Sequence, residues 1–200
     1  MTSTTVASST VIIDRVIPRS VVMDIVLVVA GAALTAGLAQ LVIPMWPVPI
    51  TGQTLAALLV GASLGWVRGA SSIALYAVVG LLGAPISAPT ASGGHLTGLA
   101  WLAAPSFGYV IGMILAAGLV GWFAQLRWDR VVWKAIIAFL LGEIVIYAVG
   151  LPWLAAVTRG TPEQVLAWGL TPFIVGDLIK AAIAGALLPA AWWVVRRVKR

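Results

Sequence analysis

Six apolar runs separated by short polar stretches make up most of the chain. They extend from about Val21 to Ile43, Gln53 to Gly65, Gly69 to Gly83, Phe107 to Gln125, Val131 to Leu151 and Thr171 to Val195. A helix needs about 20 mostly apolar residues to cross a bilayer. The second and third runs, at about 13 to 15 residues, are short for that and are expected either to pack inside the bundle or to extend into the flanking loops. The pattern predicts an all-α integral membrane protein with six transmembrane helices over residues 20–195. A short, partly disordered cytoplasmic tail (1–19) is expected before them and a basic cytoplasmic tail (196–200) after them.

Composition agrees. The chain is 62% hydrophobic and 9% charged, against about 25% charged in an ordinary soluble domain, so it lacks the side chains to cover a water-facing surface. The absence of Cys excludes a disulfide framework and a thiolate metal site. Net charge is +6, but its placement points away from nucleic acid. Arg15 and Arg19 precede the first run, Arg68 follows the second, Arg127, Arg130 and Lys134 surround the fourth-to-fifth junction, and Arg196, Arg197, Lys199 and Arg200 close the chain. That puts 10 of the 12 basic residues on one side, which by the positive-inside rule makes that side and both termini cytoplasmic. The opposite loops are nearly uncharged and rich in Pro and Gly, PMWPVPITGQT above all. Backbone of that kind cannot be regular helix. Near a membrane it is tolerated where it is buried or lines a cavity, so these loops are expected to cap a ligand pocket near the outer face.

Three charged residues fall well inside the runs: Glu143, Asp177 and Lys180. A charge in a bilayer costs at least ~2.5–3.5 kcal/mol on insertion scales, and by default it is paired or serves a site. At 1.5 Å per residue all three reach the same outer layer, roughly 9 to 13 Å below the end of their helices. Tyr147 stands one turn above Glu143, Asp177 and Lys180 share a face, and Gln53 and Thr54 begin the second run at a comparable level. A few polar groups in an apolar surround describe a small-molecule pocket. Two plainer readings stay open: an Asp177–Lys180 ion pair that is structural only, and Glu143 as a buried acid with a backbone partner. A phosphate-loop signature, a zinc-protease motif and a nucleophile elbow are all absent, so the reading is not an enzyme and has no cofactor or metal.

Several stretches, in order, resemble motifs of the BioY family: PVPITGQTLAALLVGASLGWVRGA (47–70) continued by LYAVVGLLGAP, then APSFGYVIG (104–112), GEIVIYAVGLPWLA (142–155) and PFIVGDLIKA (172–181). The resemblance implies a biotin-binding substrate-capture (S) component of an energy-coupling-factor (ECF) transporter. Such a protein sits in the plasma membrane, takes biotin from outside, and works with a transmembrane coupling protein and two ABC-type ATPases. It assigns Asp177 and Lys180 to the ligand through the G-D-x-x-K motif. It also assigns the Gly-rich loop around Ser92, Gly93, His95 and Thr97, and Tyr109 of the A-P-S-x-G-Y stretch. A row of the first helix, Ala32, Ala36 and Gln40, with Ala33 and Gly37 beside it, resembles the docking face for the coupling protein. The chain departs from the pattern at Val110, where some members carry Arg, at Ala104 and Phe107, and at His95, where some have Asn. A subunit for another vitamin, a stand-alone facilitator or channel, and a membrane enzyme are the alternatives.

Overall fold

The computed structural model describes residues 11–198. Residues 1–10 of the expected N-terminal tail, and Lys199 and Arg200 of the C-terminal one, lie outside the described residues. The elements in order are α1 (Ile13–Val16), α2 (Val21–Ala39), β1 (Val42–Ile43), β2 (Ile50–Thr51), α3 (Gln53–Leu64), α4 (Trp66–Leu81), α5 (Gly98–Leu102), α6 (Phe107–Gln125), a 3-10 turn (Trp128–Arg130), α7 (Val132–Thr158), α8 (Pro162–Gly169) and α9 (Ile174–Val198). Among the described residues, α2, α6, α7 and α9 are long and apolar enough to cross a membrane, while α3 and α4 are shorter apolar helices.

The shorter pair does pack inward. Eight positions of α3 are buried, from Gln53 to Leu64. The helices meet at small residues: a Cβ on Gly69 would stand 2.6 Å from Gly61 Cα, and one on Gly121 would stand 2.5 Å from the Gly65 carbonyl carbon. Gly65 has φ +88°, which lets α3 reverse into α4 with no intervening loop.

Four boundaries differ from the sequence reading. The first helix stops at Ala39, because Val42–Ile43 pairs antiparallel with Ile50–Thr51 to form a small hairpin. The fifth continues through Pro152 to Thr158. Pro there removes one helical hydrogen bond, but the turn beyond it is anchored: Leu154 is fully buried and the Trp153 indole donates to the Ala104 carbonyl at 3.0 Å. The Gly-rich loop expected to be irregular contains the short helix α5, and the connection between the fifth and sixth runs contains the short helix α8. The latter starts on a capping box between Thr161 and Gln164, with Pro162 at its first position.

The segment before α2 is also more ordered than expected. Val11 is fully buried. Asp14 accepts from Arg19 at 2.6 Å and Arg68 at 2.7 Å, and Arg68 reaches Asp24 at 2.9 Å. Burial works to raise the Asp14 carboxyl's pKa, but its hydrogen bonds to Arg19 and Arg68 prevail and hold it below the ordinary value.

The row Ala32, Ala36 and Gln40 is not an outward stripe. Ala32 belongs to the core and Ala36 packs against it. The Gln40 side chain folds back to donate to the Ala36 carbonyl at 2.9 Å. The faces are shifted by one residue: Ala33 and Gly37 are exposed, and a Cβ on Gly37 would meet nothing within 4 Å.

Candidate functional site

The helices alternate in direction, so Gln53 at the start of α3, Tyr109 near the start of α6, the second half of α7 and the start of α9 arrive at one end of the bundle. Arg68, Asp129 and Trp192 arrive at the other. At the first end lies a cavity of about 470 Å³, within the usual ~300–1,000 Å³ of small-molecule sites. Its upper wall is the hairpin loop (44–51) and the 87–91 stretch. Its floor is formed by Thr54 of α3, Glu143, Ile146 and Tyr147 of α7, and Asp177 and Lys180 of α9.

Spacing explains the floor. Glu143 and Tyr147 are one turn apart on α7, and Asp177 and Lys180 three residues apart on α9, so each pair projects to one side. The Lys180 ammonium donates to Asp177 Oδ1 at 3.0 Å and to Thr54 Oγ1 at 2.8 Å. The Tyr147 hydroxyl donates to Asp177 Oδ2. Both Asp177 oxygens are therefore occupied, while an ammonium has three N–H donors and Lys180 has committed two. Glu143 differs. Only 5% exposed, it has no hydrogen-bond partner on either carboxyl oxygen. A buried polar group left unmet costs about 1–3 kcal/mol, more if charged, so a group in that state on a cavity wall is poised for something the cavity receives.

Two further lining residues are engaged in building the wall. The Gln53 amide donates to the Tyr76 hydroxyl at 2.5 Å and accepts from Thr51 at 3.0 Å. The Tyr109 hydroxyl donates to the Gly169 carbonyl at 2.9 Å, tying α6 to α8. The Tyr109 ring stacks on Phe173 and meets Tyr147 edge-on, and this aromatic panel forms one side of the cavity.

The Gly-rich loop does not contribute as expected. Ser92, Gly93, His95 and Thr97 are not on the cavity wall; Ser87 to Ala91 and Leu96 are. Ser92 is bonded to the Thr90 hydroxyl at 2.9 Å. The His95 ring nitrogen Nδ1 lies 2.7 Å from the Ser87 carbonyl oxygen. Pro89 and His95 form a bridge, so the later residues brace the earlier ones, which face the ligand space. The Trp residues of the outer loops also sort unevenly. Trp101 lines the cavity, Trp153 and Trp168 stand behind the wall, and Trp46, which sequence reasoning missed, lines it and meets Trp168 edge-on. Thr54, expected beside Gln53 at the level of Lys180, does line the cavity.

Comparisons with known proteins agree with this architecture. The chain is 35% identical over 161 residues to the protein named Probable biotin transporter BioY of Pyrococcus horikoshii, covering 80% of this chain and 91% of that one. It is 31% identical over 161 residues to Biotin transporter BioY2 of Lactococcus lactis, covering 80% and 85%. The fold is similar to the crystal structure of the S-component for biotin from an ECF-type ABC transporter, with a TM-score of 0.72, 27% identity, and 90% and 92% of the two chains covered. The BioY family model matches residues 5–197, nearly the whole described chain, and this protein belongs to the BioY family.

Proposed function

We propose that this protein is the biotin-binding S component of an ECF-type vitamin uptake transporter. The observation that carries the reading is the unmet Glu143 carboxyl on the wall of a mostly apolar cavity, beside a Lys180 ammonium with one donor uncommitted. The head of biotin is a ureido group with two N–H donors and one carbonyl. Glu143 accepts from an N–H, Lys180 donates to the carbonyl, and the aromatic panel of Tyr109, Tyr147 and Phe173 packs on the fused rings. Asp177 orients Lys180 and Tyr147 from behind. Gln53 shapes the wall, and Ser92, Gly93, His95 and Thr97 brace the loop above it.

The topology proposed is that of six membrane helices within 20–195, with the short α3 and α4 shielded by their neighbours, and both flanking segments cytoplasmic. Among the described residues, eight basic ones at the end opposite the cavity support that orientation, which places the cavity mouth outside the plasma membrane. Delivery inward requires the ECF transmembrane coupling protein and two ABC-type ATPases. Only 11% of the most apolar window of α2 is buried, against 61% for α6. The exposed small residues Ala33 and Gly37 on α2 suit close approach of a partner helix.

The test is binding of radiolabelled biotin to the purified protein in detergent, with native mass spectrometry of co-extracted ligand. Binding is expected in the wild type and is expected to be lost in Lys180→Ala. If the purified protein binds no biotin, the ligand is wrong; if it binds biotin equally well without Lys180, the site is wrong.

A further inference from the structure

The charges of the cavity are unevenly distributed, and this bears on which part of the ligand goes where. Two carboxyl groups stand on the floor, Glu143 and Asp177, each 5% exposed. Among the described residues Lys180 is the one cation on the wall, and it is already held by Asp177 and Thr54. The mouth is different in kind. Trp46 is 74% exposed and Met45 38%, and neither the 44–51 loop nor the 87–91 stretch contains a charged side chain. At position 110, deep in the wall, stands the apolar Val110. Arg159, at the same end of the bundle, is exposed and off the wall.

A ligand carboxylate sent to the floor would meet two acids and a single cation whose charge Asp177 already balances, with only one N–H of Lys180 left to offer it. Burying a charge without its own partner is strongly unfavourable. A neutral head with N–H donors has the opposite preference, since Glu143 is waiting for a donor. We infer that the site recognises only the neutral head of its ligand, leaving the anionic tail at the water-exposed mouth without a cation, so that neutral tail-capped derivatives are also ligands. The inference rests on the biotin reading above, and makes the ligand class ureido-headed molecules whose tail carboxyl is free or amide-linked.

The experiment is equilibrium competition against labelled biotin, on the purified full-length protein, by biotin and by biotinamide, in which the carboxylate is replaced by a neutral amide. A carboxylate clamped by a buried cation would lose roughly 30-fold or more on capping. One left in water loses little, and the two competitors are expected to agree within about fivefold. Ala91→Arg places a cation on the exposed rim of the cavity. It is expected to create a preference for the acid of about threefold that fades with added salt. A wild-type preference for the acid beyond about fivefold overturns the inference, and its disappearance in Arg159→Ala would identify the clamp. An unchanged ratio in Ala91→Arg overturns the placement of the tail. If neither compound displaces the label because the label itself does not bind, the biotin reading has failed first, which is a different result from selective failure of the amide.

Discussion

The two ends of the bundle handle charge in opposite ways. At the basic end the cluster around Asp14 is answered by the protein itself, Asp14 by Arg19 and Arg68 and Asp24 by Arg68, while Asp129 has one oxygen met by the Trp192 indole and the other unmet. At the cavity end Asp177 is likewise answered, by Lys180 and Tyr147, yet neither oxygen of Glu143 beside it accepts a hydrogen bond and Lys180 has a donor to spare. Buried charges on both ends are costly; what separates a structural cluster from a binding cluster is whether the accounting closes without a ligand. The cavity end is kept incomplete, and that incompleteness costs stability, a familiar cost at functional sites.

The sharpest way to break the comparison is Lys180→Ala. It removes the cavity's cation and leaves Asp177 buried with Tyr147 alone. A hydrogen bond from a charged donor is worth about 1.5–3 kcal/mol, so biotin affinity should fall by up to ~100-fold; a titration showing less than a tenfold change would remove Lys180 from the site. At the basic end, Arg68→Ala strips Asp14 and Asp24 of a shared partner. Stability should drop by about 3 kcal/mol, seen as a lower Tm in detergent, while the folded protein binds biotin as before. Reduced affinity at unchanged Tm would reverse the roles of the two ends.

Glu143→Leu sharpens the contrast. Replacing an unmet buried carboxyl by an apolar side chain of similar size should raise stability by about 1–3 kcal/mol and weaken biotin binding by at least ~10-fold. A stability loss instead would mean that Glu143 has a structural partner. The smallest effect is expected at Asp129, in the turn between α6 and α7. Burial pushes its pKa up from 3.8 to about 6, against the Trp192 hydrogen bond and the nearby Arg130 that favour the ionised form. The folded state thus holds this proton more tightly than the unfolded chain does. Its ionisation therefore costs stability, beginning near pH 4 and complete above about pH 6. Asp129→Asn should gain about 1–2 kcal/mol at pH 7.5, nothing below pH 4, and leave binding unchanged. A gain of the same size at every pH would show that the effect is not ionisation.

Much of the site was legible because its parts obey helix periodicity. Glu143 with Tyr147, and Asp177 with Lys180, share faces by spacing alone, and counting residues from the helix ends put them at one depth. Non-local contacts were not legible in this way. Nothing in the order of residues says that Thr54 meets Lys180, 126 positions away, or that Trp46 reaches the cavity through a hairpin. The Gly-rich loop illustrates the limit. Its composition marks it as irregular and close to the ligand, but which of its residues face inward depends on the Thr90–Gly94 turn and the His95 contact with Ser87, and these brought Ser87 to Ala91 and Leu96 to the wall instead of Ser92, Gly93, His95 and Thr97. The inward turn of Ala32 and Ala36 on α2 was hidden for a related reason. Small residues at a spacing of four occur on two adjacent faces of that helix, and only packing of Gly31 and Ala32 against α3 and α4 shows which face is turned in.

By itself the sequence determined the apolar runs, the side on which the positive charge collects, the depth of the intramembrane charges and the family. Each of these depends on local chemistry: hydrophobic length, charge placement, helical period and ordered motifs. The tertiary structure alone decided which polar groups satisfy one another and which do not. That is a property of pairs brought together from distant parts of the chain, so the distinction between the closed cluster around Asp14 and the open one around Glu143 exists only once the helices are packed.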